Sequence, residues 1–291
     1  MVKTYSQLYL DSRRALLQTE DTQSAGFIAR NLLCHVSGKT NEEILTHSQT
    51  YASQEVCDAM DAYVKRVLLG EPLAYILGQW EFYGLPMFVN RNVLIPRDDT
   101  CAVVDLVLKH ADATCPNLRI LDLCTGSGCI GLAIASRLTQ AKVTLADISK
   151  EALSVAKRNI TANQLSARVS CFQTDALEAP NAFLGSFDGI VSNPPYISAQ
   201  EMAQLPHCVA DYEPHLALFG GEDGLLFYRN IIENYTHILK PGGFLAFEFG
   251  MGQGDAVCNL LERKGYTILE RSSDNNEIER AVIAQYSRKE H

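Results

Sequence analysis

The chain has 291 residues, 47% of them hydrophobic, which is enough apolar material for more than one packed core. With 25 Lys and Arg against 34 Asp and Glu, the formal charge of −9 gives no general attraction for a phosphate backbone, so a nucleic-acid binder held by bulk charge is disfavoured. Nine cysteines occur, an odd number with no C-x-x-C pair, which speaks against a zinc ribbon or a disulfide framework and for buried thiols in a reducing compartment. Met1 to Arg14 lacks a signal-peptide core and no run is long enough to span a bilayer, so a cytoplasmic protein is expected.

From residue 4 to about 70 apolar residues recur at helical spacing, as in Phe27, Ile28 and Leu32, then Val56, Met60, Val64 and Val67. Thr40 and Glu43 have capping-box spacing, and Gly70-Glu71-Pro72 is a helix stop. This region, 1–78, reads as a small packed helical bundle with no convincing catalytic cluster; any functional role of its own would be to grip a macromolecular partner. Between 79 and 95 the pattern turns aromatic and β-branched, and a break at Gly84-Leu85-Pro86 predicts a β-hairpin linker.

After Pro96 apolar strands alternate mostly with helices, the pattern of a parallel sheet covered on both faces. Strands are predicted over Arg119–Leu123, Lys142–Ala146, Val169–Phe172, Phe187–Ser192 and Phe244–Phe249. Tyr266–Arg271 and Ala281–Tyr286 follow each other with no long helix between, so they are expected as an antiparallel pair at one edge. The fold class is α/β, a Rossmann-like seven-stranded domain over 96–291.

Asp122-Leu123-Cys124-Thr125-Gly126-Ser127-Gly128-Cys129-Ile130-Gly131 sits between a predicted strand and helix and satisfies G-x-G-x-x-G. Asp147 closes the next strand, where its carboxylate can accept from both ribose hydroxyls of a nucleotide. A carboxylate at the mouth of the loop, Asp122, would repel a pyrophosphate but suit an ammonium and a sulfonium. That favours S-adenosylmethionine over a dinucleotide. Asp175, after the third strand, either accepts from the adenine amino group or caps a helix starting at Ala176; both readings stay open. Ala176 would line the ring face.

Asn193-Pro194-Pro195-Tyr196 follows the fourth strand. An amide or exocyclic amino nitrogen is a poor nucleophile because its lone pair is delocalised, and two acceptors on its two hydrogens would polarise it. The Asn193 side-chain oxygen and the Pro194 carbonyl are the candidates. The two prolines would hold them in place, and Tyr196 would offer a flat face to a flat substrate group.

At these residues the chain resembles the HemK/PrmC family, the peptide chain release factor glutamine methyltransferases. The likeness extends to Gly70-Glu71-Pro72-Leu73-Ala74-Tyr75-Ile76-Leu77-Gly78, Glu81-Phe82-Tyr83-Gly84-Leu85, Leu94-Ile95-Pro96-Arg97, Glu213-Pro214 and Asp223-Gly224-Leu225. The stretch before the hairpin separates this family from DNA amino methyltransferases, which share the tetrapeptide. The resemblance implies methylation of the glutamine in the Gly-Gly-Gln motif of release factors, helped by the helical N-terminal domain. It implies cofactor contacts from Cys124, Thr125, Gly126, Ser127, Gly128, Asp147, Ala176 and Asn193, with the glutamine against Asn193 to Tyr196. A ribosomal-protein glutamine and a DNA or RNA adenine are the competing acceptors. Two departures stand out. The family's Pro-Arg is often followed by Pro-Glu-Thr-Glu, where this chain has Asp98-Asp99-Thr100-Cys101. Its loop usually opens with Gly, where this chain has Cys124.

Overall fold

The computed structural model describes residues 2–112 and 114–286. It divides into two compact units, Met1–Gly78 and Gln79–His291. In the first unit, helices α1 (Tyr5–Leu16), α2 (Thr22–Ser37), α3 (Asn41–Thr46), α4 (Gln54–Leu68) and α5 (Leu73–Leu77) surround a core of Leu8, Leu16, Ala29, Leu32, Leu33 and Met60. Each of the first four starts on a capping side chain. Thr40 and Glu43 form the reciprocal box that their spacing predicts, which satisfies amides a helix leaves unpaired. Gly70, at φ 89°, stands just beyond α4.

The second unit begins with strands β1 (Gln79–Phe82) and β2 (Leu85–Phe88), an antiparallel hairpin. Its turn is Tyr83-Gly84, not the predicted break one residue later; Leu85 and Pro86 already pair with Phe82 and Glu81. The hairpin read as a linker packs into this unit. Phe82 and Met87 join its core, and the buried Asn159 accepts from Phe88 N (2.6 Å) while donating to Phe88 O (3.0 Å) and Ser127 O (2.9 Å).

Then follow α6 (Cys101–His110), β3 (Arg119–Leu123), α7 (Cys129–Arg137), β4 (Lys142–Asp147), α8 (Lys150–Ala162), β5 (Val169–Gln173), β6 (Phe187–Ser192), α9 (Ala199–Met202), α10 (His207–Ala210), α11 (Leu226–Tyr235), β7 (Leu239–Glu248), α12 (Gly254–Arg263), β8 (Tyr266–Ser273) and β9 (Glu279–Tyr286). The sheet order is β5-β4-β3-β6-β7-β9-β8, parallel except where β9 joins antiparallel to β7 and β8. The antiparallel pair expected from the sequence therefore does lie at one edge. Side chains alternate between two cores: Ile120, Val191 and Ala246 face the side of α6, α7 and α8, while Leu121, Ile190 and Phe247 face that of α11 and α12. β7 starts earlier than predicted, at Leu239, because Phe187 of β6 pairs with Leu239 before a bulge ahead of Gly189.

The thiols are less uniform than expected. Only Cys57 and Cys258 are buried, Cys208 is exposed, and the other six are intermediate; all nine are free. No helix of the described residues is long and apolar enough to cross a membrane.

Candidate active site

Strand order reverses between β3 and β6, and in an open parallel sheet a crevice forms outside the carboxyl ends at such a point. The second unit has a cavity of about 350 Å³ there. Its wall includes Cys124 to Ser127, Asp147, Asp175, Ala176, Asn193 and Pro195, together with Leu94, Arg97, Thr100, Ile130, Ile148, Pro214 and Phe227. This volume lies within the usual range for a small-molecule site, roughly 300 to 1,000 Å³.

The loop is held from beneath. Asp122 is fully buried, and its Oδ2 accepts from Thr125 Oγ1 (2.5 Å) and from Gly131 N at 2.9 Å. Burial lifts its carboxyl to about 7, against the pull of those two donors. The expectation that Asp122 stands at the mouth of the loop is corrected: strand alternation turns it toward α7, so its charge supports the loop instead of facing a ligand. Gly131 lets α7 come this close, since a Cβ there would meet Leu145 Cδ2 at 2.2 Å. Gly128, expected as a cofactor contact, is not on the cavity wall. A Cβ on it would meet Leu145 Cδ1 at 2.9 Å, because the residue turns toward the core at the start of α7. Cys124 does line the wall, in the left-handed region at φ 61°, a conformation costing a residue with a Cβ roughly 1 to 2 kcal/mol. Burial and nearby Asp147 hold its thiol well above the ordinary range, so it is protonated.

Asp147 ends β4. Its Oδ2 accepts from Gly126 N (2.9 Å) and its Oδ1 from Ser149 N (3.0 Å), so this side chain also clamps the glycine loop. Burial raises its carboxyl, opposed by the amides of Ser149, Gly126 and Ile148. Ser149, not Asp147, caps α8 by accepting from Ala152 N at 3.0 Å. At Asp175 the helix-cap alternative fails because Ala176 begins a turn rather than a helix; Oδ1 accepts from Leu177 N (2.8 Å).

Of the tetrapeptide, Asn193 and Pro195 line the cavity and Pro194 and Tyr196 do not. The expectation of a Tyr196 face against the substrate is thus corrected. Its ring lies against Gly250, where a Cβ would sit 3.0 Å from Cδ2, and against the α11–α12 core. Its carbonyl accepts from Gln253 Nε2 at 2.9 Å. Gly220 packs on the same stretch so closely that a Cβ would lie 2.7 Å from both Pro195 O and Tyr196 Cα. The backbone bonds Ile197 N to Leu218 O (3.0 Å) and Gly220 N to Ile197 O (2.9 Å) tie this strap to the tetrapeptide.

The role of Arg97 to Cys101, open in the sequence, acquires a geometry. Arg97 and Thr100 line the cavity, Arg97 pairs with buried Glu213, and Asp99 pairs with Arg280 at 3.1 Å. Sequence reasoning gave these residues no chemistry. The signal was present only as the Leu94–Arg97 and Glu213-Pro214 likenesses. Glu248, 3% exposed at the end of β7, was missed altogether.

A parallel sheet with a glycine loop after its first strand, an acidic residue after its second and Asn-Pro-Pro-Tyr after its fourth defines a methyltransferase-class enzyme. Residues 99–212 match the family described as Methyltransferase small domain, and residues 9–78 match PrmC N-terminal domain. The chain is 38% identical over 253 residues to a Release factor glutamine methyltransferase of Clostridium acetobutylicum, covering 87% of this chain and 88% of the relative. It is 35% identical over 306 residues to a Bifunctional methyltransferase of Rickettsia bellii, covering 95% of this chain but 55% of that one, so it spans about half of that longer relative. Among solved structures, the hMettl16 catalytic domain in complex with MAT2A 3′UTR hairpin 6 is similar in fold alone, with TM-score 0.56 and 15% identity over 83% of this chain and 86% of that one. The chain belongs to the HemK/PrmC family, the release factor glutamine methyltransferases.

Proposed function

We propose that the protein transfers a methyl group from S-adenosylmethionine to the side-chain amide nitrogen of the glutamine in the Gly-Gly-Gln motif of peptide chain release factors. The observation that carries the reading is one cavity in which Asp147 at one strand end and Asn193 at another meet the same space. The wall fits such a cofactor. Each Asp147 oxygen accepts one amide and keeps a lone pair for a hydroxyl, Asp175 Oδ2 has no partner among the described residues, and Ala176, Ile130 and Ile148 supply apolar surface. Asp147, Glu151 and Asp175 outnumber Arg91 and Arg97 on that wall, and Arg97 is paired with Glu213, so its balance suits a cation. When bound, S-adenosylmethionine supplies an electrophilic methyl on a sulfonium sulfur.

The chain's own work is orientation. The Asn193 carbonyl oxygen accepts one hydrogen of the acceptor amide, and the backbone carbonyl of Pro194, next in the chain though not itself on the cavity wall, accepts the other once substrate is bound, which draws the nitrogen lone pair out of conjugation. Proline fixes φ at both following positions, so these acceptors are preorganised. No strong base is required, because a methylated, positively charged amide nitrogen loses a proton readily to water. The helical unit Met1–Gly78 contributes part of the grip on the release factor, and the fold acts in the cytoplasm, where these factors are. The likeness of Gly70 to Gly78 to the family favours a release factor over a nucleic-acid adenine, and the net charge of −9 points the same way. Labelled S-adenosylmethionine with whole release factor, the methyl located by mass spectrometry, tests the reading. Label on the Gly-Gly-Gln glutamine is expected; label on a ribosomal protein or on nucleic acid instead would overturn it.

A further inference from the structure

Glu248 is a buried acid for which the mechanism above has no use. Ser192 of β6 pairs with Phe247 of β7, so the next residues, Asn193 and Glu248, stand side by side past the paired ends. Val191 and Ala246 face the α6–α8 core while Phe247 and Phe249 face the opposite one, so alternation puts Asn193 and Glu248 on one face. Glu248 Oε2 has no hydrogen-bond partner among the described residues. A buried carboxylate with unfilled acceptor capacity is costly and calls for a reason.

The groups around the carboxyl come from several elements. The Thr100 hydroxyl and the Asn193 amide stand near enough to the carboxyl to favour its charged form. Asp99 disfavours that form and Arg280 of β9 favours it. The Tyr196, Cys101 and Cys129 side chains lie within its electrostatic reach, and Tyr228 donates to its backbone carbonyl, not to its carboxyl. Burial outweighs the favourable neighbours and lifts the group to about 7.

We propose that Glu248 is a positioning residue: its carboxylate takes a hydrogen of Asn193 Nδ2 and thereby turns the Asn193 carbonyl oxygen toward the acceptor nitrogen. The proposal rests on the amide-acceptor reading above. An asparagine amide presents an acceptor and a donor of nearly the same shape, and its wrong flip would set an NH₂ against the substrate's NH₂. An ionised carboxylate only accepts, so it selects the productive flip. A protonated carboxyl can donate to Asn193 Oδ1 and select the other. The raised value makes the ionised form dominant only above about 7, so turnover should rise with pH through that region.

The test uses the full-length protein with saturating S-adenosylmethionine and release factor. Wild-type kcat is expected to climb through pH 7, and Glu248→Gln to lower kcat on the order of tenfold at pH 8, the scale of one lost charge-assisted hydrogen bond. It should remove the pH step and leave cofactor affinity within about twofold of wild type. A second readout needs no turnover. In asparagine-¹⁵N-labelled protein the Asn193 side-chain NH₂ signal, identified by its loss in Asn193→Ala, should titrate near pH 7 in wild type and stay flat in Glu248→Gln. An Asn193 NH₂ signal that ignores both pH and Glu248→Gln overturns the proposal, and so does an unchanged kcat profile in that variant. A wild type that methylates no release factor sinks the acceptor reading instead, and the NMR arm then decides the pairing alone.

Discussion

Asn193 reaches the cavity from the end of β6 and Asp147 from the end of β4, and their substitutions should fail differently. Asn193→Ala removes an acceptor felt mainly as the nitrogen pyramidalises, so single-turnover rates should fall on the order of a hundred- to a thousandfold, with binding suffering less. A near wild-type rate would end the polarisation mechanism. Asp147→Ala should instead weaken cofactor binding about ten- to a hundredfold by calorimetry, through lost ribose contacts and a loosened Gly126 amide. Unchanged affinity would remove it from the ribose role. Asp147 was legible because loop, helix and strand lengths fix where the second strand ends. Glu213, Thr100 and Glu248 were not, since their partners lie far along the chain and only tertiary packing brings them together. Tyr196 misled because a ring's direction depends on what crowds it, here Gly250 and its surroundings.

The loop between β3 and α7 shows the same dependence at the level of an element. Gly126 has open space where a Cβ would go, whereas at Gly131 a Cβ would overlap Leu145 and press on Asp122. Gly131→Ala should therefore destabilise by roughly 1 to 3 kcal/mol, through overpacking, and lift α7 off the sheet. Gly126→Ala meets only its positive φ and should cost roughly 1 kcal/mol. Denaturant titration of the two variants checks the ranking, and equal losses would refute the packing account. The pattern G-x-G-x-x-G announced these glycines together but could not say which one faces a ligand. Apolar runs marked β3 and β6 to the residue because buried parallel strands are continuously hydrophobic. β7 escaped at its start because Lys240-Pro241-Gly242-Gly243 reads as a turn, and the chain does bulge there, with Gly242 at φ 75°, but Leu239 before the bulge already pairs with Phe187.

At the scale of the whole molecule, each unit closes on its own apolar core, and the cavity is lined from the second unit alone. A fragment spanning 79–291 should bind S-adenosylmethionine with nearly full-length affinity and methylate whole release factor poorly. Turnover of whole release factor at the full-length rate would deny the helical unit its gripping role. The sheet order carries one more implication, for the time course of folding. β3 meets β4 across a short stretch, Asp122 beside Leu145, but meets β6 only by bringing Val191 to the same aspartate from much farther along the chain. Closing that longer loop is the slower event. The Asp147 carboxylate that clamps the glycine loop can thus assemble with the β3–β5 half, while Asn193 arrives only when β6 docks, so a refolding chain should regain most of its cofactor affinity before it regains turnover.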